Sequence, residues 1–189
     1  MASSMLLHPD QAEAAKRARV PLVCSRGPDG QFFNADVTMP AGVAEGDSFA
    51  VRVDSFPSGR LSNTGLNYIH DLSTRYLVPV GASYVEGSAR IVPDTGTDNV
   101  RKDARVTHEG GVITMVLPAI IKNGDSYTPP SFEVKFKATA PKGTALQFRF
   151  DQYGVSANVF LMGNLHVTCD PRPRPSTVGT TTVTSADGT

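Results

Sequence analysis

The chain has 189 residues, 40% of them apolar and 19% charged, with 17 Gly, 14 Pro and no Trp. It is long enough to bury one sizeable core and too rich in turn formers for a helical bundle. Lys and Arg match Asp and Glu at 18 each, so no overall field draws in nucleic acid or an anionic membrane, and the longest apolar run, residues 112–121, is too short to span a bilayer.

The first seven residues lack the basic region and apolar stretch of a secretory leader, so either a leader has been removed or the protein is not exported by that route. Residues 8–19 read as a short helix: Pro9 suits a first turn, Asp10 and Glu13 come early, Lys16, Arg17 and Arg19 late, and Ala fills the middle. With no broad apolar face, that helix is marginal alone and makes an arm leading into the first strand. Residues 20–25 and 32–38 flank Gly27-Pro28-Asp29-Gly30, a hairpin signal. In residues 48–54, Phe49, Val51 and Val53 share one face of a strand. Residues 56–65, rich in Ser, Gly, Pro and Asn, form a long loop.

Residues 66–79 extend next, placing Tyr68, His70, Leu72, Thr74 and Tyr76 on one face. Further strands are expected over 82–92 and 99–108, and Glu109-Gly110-Gly111 turns the chain into residues 112–117. The period-two signal is clearest beyond this point: Phe132, Val134, Phe136 and Ala138 alternate with Glu133, Lys135, Lys137 and Thr139, and Leu146, Phe148 and Phe150 repeat the pattern. These three strands in series are expected to build one sheet layer. Residues 157–169 read as one closing strand bent at Gly163. After it, Pro171, Pro173 and Pro175 favour an extended tail, too poor in apolar mass to order itself. The count is about nine or ten strands.

Cys24 lies in the first strand and Cys169 in the last. A bridge between them would close a long loop, worth on the order of 4–5 kcal/mol in the chain-entropy view, and would place the protein in an oxidising compartment. Two reduced core thiols are the alternative.

The segments 76–87 (YLVPVGASYVEG), 110–117 (GGVITMVL), Gly124-Asp125 and 132–141 (FEVKFKATAP) resemble the immunoglobulin-like conserved-repeat domains of bacterial surface proteins. There a proline and glycine entry, a hairpin, a glycine turn and a long alternating strand recur in this order. Residues 20–183 as a whole, with Cys24 in strand one and Cys-Asp-Pro-Arg-Pro before a Thr-rich end, further resemble small secreted envelope proteins of actinobacteria of unassigned function. The resemblance implies a β-sandwich at a surface and transfers no catalytic residue.

Chemistry-bearing motifs are scarce. His8, His70, His108 and His166 are scattered singly without metal-ligand spacing. His70 beside Asp71 and His108 beside Glu109 are the best acid–base candidates, yet neighbours on an extended strand point to opposite faces. Gly81-Ala-Ser83 lacks the strand-to-helix setting of a nucleophile elbow, and no glycine cluster opens a helix to cradle phosphate. No catalytic, cofactor-binding or metal residue is therefore expected. Tyr68, Tyr76, Tyr84 and Tyr127 are the candidates for a binding surface, with rings suited to a glycan or peptide.

The expectation is an all-β protein: an Ig-like antiparallel β-sandwich over residues 20–170, a short N-terminal helix within an arm of residues 1–19, and an extended tail over 171–189. Its expected role is non-enzymatic, as a structural or binding module at a bacterial surface or envelope. Its partners would be proteins, or copies of itself, met through tails and sheet edges. Competing roles are a phage or virus-like particle protein, which would be a virion component, a carbohydrate-binding module, and an enzyme whose site assembles only in three dimensions.

Overall fold

The computed structural model describes residues 13–27 and 30–185, and it is almost entirely antiparallel β. The elements in chain order are β1 (Glu13–Cys24), β2 (Gln31–Pro40), β3 (Gly42–Ala44), β4 (Ser48–Ser55), β5 (Leu66–Leu77), β6 (Ala82–Tyr84), β7 (Arg90–Ile91), α1 (Asp98–Arg101), β8 (Arg105–Glu109), β9 (Val112–Leu117), β10 (Ile121–Lys122), β11 (Phe132–Ala138), β12 (Ala145–Val159), β13 (Gly163–Pro171) and β14 (Ser176–Thr184).

All fourteen strands hydrogen-bond into one sheet along the path β6-β11-β4-β2-β1-β13-β12-β5-β9-β8, with β7, β10, β14 and β3 attached beside it. The sheet curls until its halves face each other. Tyr76 of β5 lies 5.3 Å, centroid to centroid, from Phe132 of β11, and Phe136 of β11 lies 5.9 Å from Phe148 of β12, although β11 is several strands removed from both along the path. The two ends of the path meet through side chains, with the Tyr84 ring of β6 stacked 4.0 Å from His108 of β8. The architecture is thus a flattened near-barrel made from one continuous sheet, where two separate layers were expected. Strand twist, which curls a long antiparallel sheet onto itself, supplies the reason.

The core follows the alternation in the sequence. Phe49, Val51 and Val53 of β4, the four alternating residues of β11, and Leu146, Phe148 and Phe150 of β12 are all buried. The hairpin signal at residues 27–30 joins β1 to β2 in the register Leu22↔Gln31 to Glu13↔Pro40, and β8 and β9 form the hairpin expected around Gly110-Gly111.

Several local expectations give way to tertiary pairing. Of the helix at 8–19, residues 8–12 lie outside the described residues, and from Glu13 onward the chain is strand β1. Extended, it buries Ala18, Val20 and Leu22 inward and sets Arg17 within 3.2 Å of Asp36 across the strand pair. A marginal helix offers no such burial. Residues 99–108 begin with the single helical turn α1, which buries Val100, and only then become β8. Residues 82–92 divide into β6 and β7, both paired to β11. The strands β9, β11 and β12 are not neighbours: β9 pairs with β5 and β8, β11 with β4, β6 and β7, and β12 with β5, β13 and β14.

The two ends of the described chain are tied in as well. Cys24 and Cys169 are joined and sit opposite each other in the β1–β13 register. Arg174, in the proline-rich segment, meets Asp170 at 2.8 Å and Asp151 at 3.2 Å. Beyond it β14 pairs with β12 and β3, burying Val178, Thr181 and Val183. A side chain at Gly179 would stand 2.5 Å from Met39 Sδ, so β14 is seated directly on β2. A Thr-rich stretch that cannot order itself becomes ordered because existing strands supply its hydrogen-bond partners.

Reduction of the disulfide, or Cys24→Ser with Cys169→Ser, is expected to lower unfolding free energy by about 2–5 kcal/mol in urea titrations. Truncation after Pro175 should abolish the cooperative transition, because it strips β12 of one neighbour and uncovers β2; an unchanged midpoint would show β14 to be dispensable.

Candidate ligand-binding cleft

Strand β12 alternates cleanly until residues 150–152, where its pairing with β5 slips by one residue. After the slip Tyr153, Val155 and Ala157 face inward, and the same happens on β5, where Asp71 adopts φ 50° and Ile69 and Leu72 both become buried. Beyond these bulges the two halves of the barrel part. The result is an open-mouthed cavity of about 490 Å³, within the range of small-molecule sites. Its wall is mostly apolar, with Leu22, Ile69, Leu72, Leu117, Val155 and Val167 among the lining residues and the Cys24–Cys169 pair part of it, while Gln31, Asn34, Ser73 and Thr74 add polar groups.

The rim is built by loops. Ser58 N–H donates to the Tyr127 carbonyl at 2.8 Å and Leu61 N–H to the Asp125 carbonyl at 2.8 Å, while Ser58 Oγ accepts from Tyr127 N–H at 3.2 Å. These bonds clip the loop of residues 56–65 to residues 123–128 and hold the Tyr127 ring over the cavity. Tyr153 lines the cavity with it and the two phenols interact, joining those polar groups in a mostly apolar lining. Burial pushes the Tyr153 phenol well above its ordinary pKa, with the charge and hydrogen bond of Tyr127 adding to the rise. Burial raises Tyr127 too.

The four tyrosines expected to share a surface are dispersed. Tyr76 is fully buried and stacked 5.1 Å from Phe148, Tyr84 closes the barrel seam on His108, Tyr68 lies on the outer face of β5, and Tyr127 alone reaches the cavity. The site residues that sequence patterning did not single out, Tyr153 with Val155 and Ala157, lie beyond a bulge that reverses their facing. Two consecutive polar residues, Asp151 and Gln152, interrupt the alternation and are the signal for it.

His70 and Asp71 do meet, Nδ1 to Oδ2 at 2.7 Å, because the bulge at Asp71 lifts the usual rule that strand neighbours diverge. His70 Nε2 is buried without a hydrogen-bond partner, on the face of β5 away from the cavity. The arrangement orients an imidazole but leaves its free nitrogen covered, on the far side of the sheet from the cavity. His108 lies 3.8 Å from Glu86 rather than beside Glu109, and His166 is 3.3 Å from Ser156 Oγ. His8 lies outside the described residues. Among the described residues no cluster of three or more His, Cys, Asp or Glu could hold a metal, and no helix is long and apolar enough to cross a membrane.

No family model matches the chain. No curated protein matches it. Among solved structures it is similar to a cohesin module from a family 33 glycoside hydrolase of Clostridium perfringens ATCC13124, with TM-score 0.39 and 10% identity over 80% of this chain and 96% of that one. It is also similar to a Corynebacterium diphtheriae protein described as membrane anchored, with TM-score 0.36 and 14% identity over 93% of this chain and 38% of that one.

The raised tyrosines carry a pH signature. Unfolded phenols ionise near pH 10, whereas Tyr76, Tyr127 and Tyr153 hold their protons to higher pH when folded. Their contribution to stability is complete below about pH 10 and is lost as pH rises through the folded values. Urea midpoints should therefore fall above pH 10, and Tyr153→Phe should shallow that fall; a slope unchanged in the variant would remove Tyr153 from the effect.

Proposed function

We propose that this chain is a non-enzymatic binding module of a bacterial surface or envelope, which takes an apolar or amphiphilic small molecule into the open mouth of its barrel. The observation that carries the reading is the cavity itself: it is mostly apolar, open to solvent, and lined also by Tyr127, Tyr153 and a few polar side chains such as Thr74, Asn34 and Gln31. Such a chamber favours a ligand with apolar bulk and a few hydrogen-bonding groups. Leaving it filled with water costs the burial energy that a ligand recovers, on the order of 0.8 kcal/mol per methylene.

The bridge between Cys24 and Cys169 supports a setting outside a reducing cytosol. The resemblance of residues 76–87, 110–117 and 132–141 to bacterial surface repeats agrees with that setting. The covered Nε2 of His70 counts against hydrolytic chemistry, and the dispersal of Tyr68, Tyr76, Tyr84 and Tyr127 counts against a flat glycan platform.

Titration with 8-anilinonaphthalene-1-sulfonate and with a fluorescent fatty acid tests the proposal directly, since a chain without Trp contributes little background. Saturable one-to-one binding is expected. Ala157→Trp, which fills the mouth from β12, should weaken binding by at least roughly tenfold with the thermal midpoint retained. A native protein that binds neither probe saturably would overturn the reading.

A further inference from the structure

The hairpin between β12 and β13 carries three consecutive exposed apolar side chains, the only such run among the large apolar residues that the described structure leaves exposed. Phe160 is 65% exposed, Leu161 91% and Met162 60%. The turn is well formed: Val159 pairs with Gly163, Met162 N–H donates to the Val159 carbonyl at 3.1 Å, and Phe160 N–H donates to the Gly65 carbonyl at 2.7 Å. Its three bulky side chains are therefore presented by a defined turn. Leu161 also stands at φ 64°, a conformation that Gly or Asn adopts with ease and a leucine only with strain. A Gly or Asn here would relieve both the strain and the exposure, so Leu161 works against local stability, and strained positions of this kind motivate a functional hypothesis.

We infer that this tip docks the protein onto a lipid surface, with Phe160, Leu161 and Met162 entering the boundary between headgroups and acyl chains. Three observations favour lipid over a protein partner. A convex tip of three side chains offers less than the roughly 800 Å² per side that a stable protein interface uses, whereas a bilayer needs no complementary shape. Directly behind the tip the surface turns polar in a single step: Asn67 Nδ2 donates to Asn158 Oδ1 at 2.8 Å and Asn158 Nδ2 to Asn164 Oδ1 at 2.7 Å, and Tyr68 and Lys122 lie in register beside Asn158. An apolar end followed by amides, a tyrosine and a lysine matches the order of a membrane interface. Among the described residues at this end, Arg26 and Arg60 in loops and Lys122 at the end of β10 stand against Asp125, all exposed, a local cationic excess on a chain of zero net charge. The surface is separate from the cavity, although both open at the same end of the barrel, where a docked protein would meet amphiphiles.

Flotation of the disulfide-bonded full chain with vesicles of phosphatidylcholine, alone and mixed with phosphatidylglycerol, tests the inference. The wild type is expected to float with vesicles, Leu161→Asn to bind at least about tenfold more weakly, and Phe160→Ser with Leu161→Asn and Met162→Ser to remain at the bottom. Both variants should keep their fold, and Leu161→Asn should raise the thermal midpoint. The inference fails if the wild type floats with neither vesicle or if the triple variant binds as tightly. It fails equally if light scattering shows a wild-type dimer that the triple variant dissolves without any vesicle binding.

Discussion

Strand β12 is the constraint on which the molecule depends. It is fifteen residues long and changes neighbours midway, from β14 beside its first half to β13 beside its second, while β5 runs along its other edge. Its first half buries Leu146, Phe148 and Phe150 into a packed aromatic core. Its second half lines an open mouth, and its last residue opens the hairpin that carries the apolar tip. One strand therefore sets core, cleft and tip in a line, and a shift of its register would turn every one of these side chains to the opposite face.

The bulges near Asp71 and Asp151 divide the barrel into those two regimes. Each inserts an extra residue, which sharpens the local twist and re-aims the side chains beyond it. On β5 this brings a histidine and its neighbouring aspartate together on the outside of the sheet. On β12 it delivers Tyr153 to the chamber. The same device thus makes a covered imidazole on one face and a cavity on the other.

The ends of the described chain show how far sheet edges override local preference. Residues 13–19 have the composition of a helix and residues 176–184 that of a disordered tail, yet both are strands. In each case a neighbouring strand already displays a row of unsatisfied N–H and C=O groups, and pairing satisfies two backbones at once while burying alternate small or β-branched side chains. The disulfide then joins β1 to β13, so that the strand nearest the start of the described chain and the one leading to its final segment behave as one unit.

The alternation of apolar and polar residues in 48–54, 132–138 and 145–150 was sufficient to establish strands, their buried faces and an all-β class, because period two is a property of the extended backbone itself. The glycine turns at 27–30 and 109–111 were equally legible, since positive φ is a local demand. The pairing order, the closure of one sheet in place of two, and the cavity were decided by tertiary structure, because neighbours in a sheet are chosen by contacts between distant segments. The hairpin tip went unread within 157–169 for a related reason: three consecutive apolar residues look like buried strand until the surrounding strands show that nothing covers them.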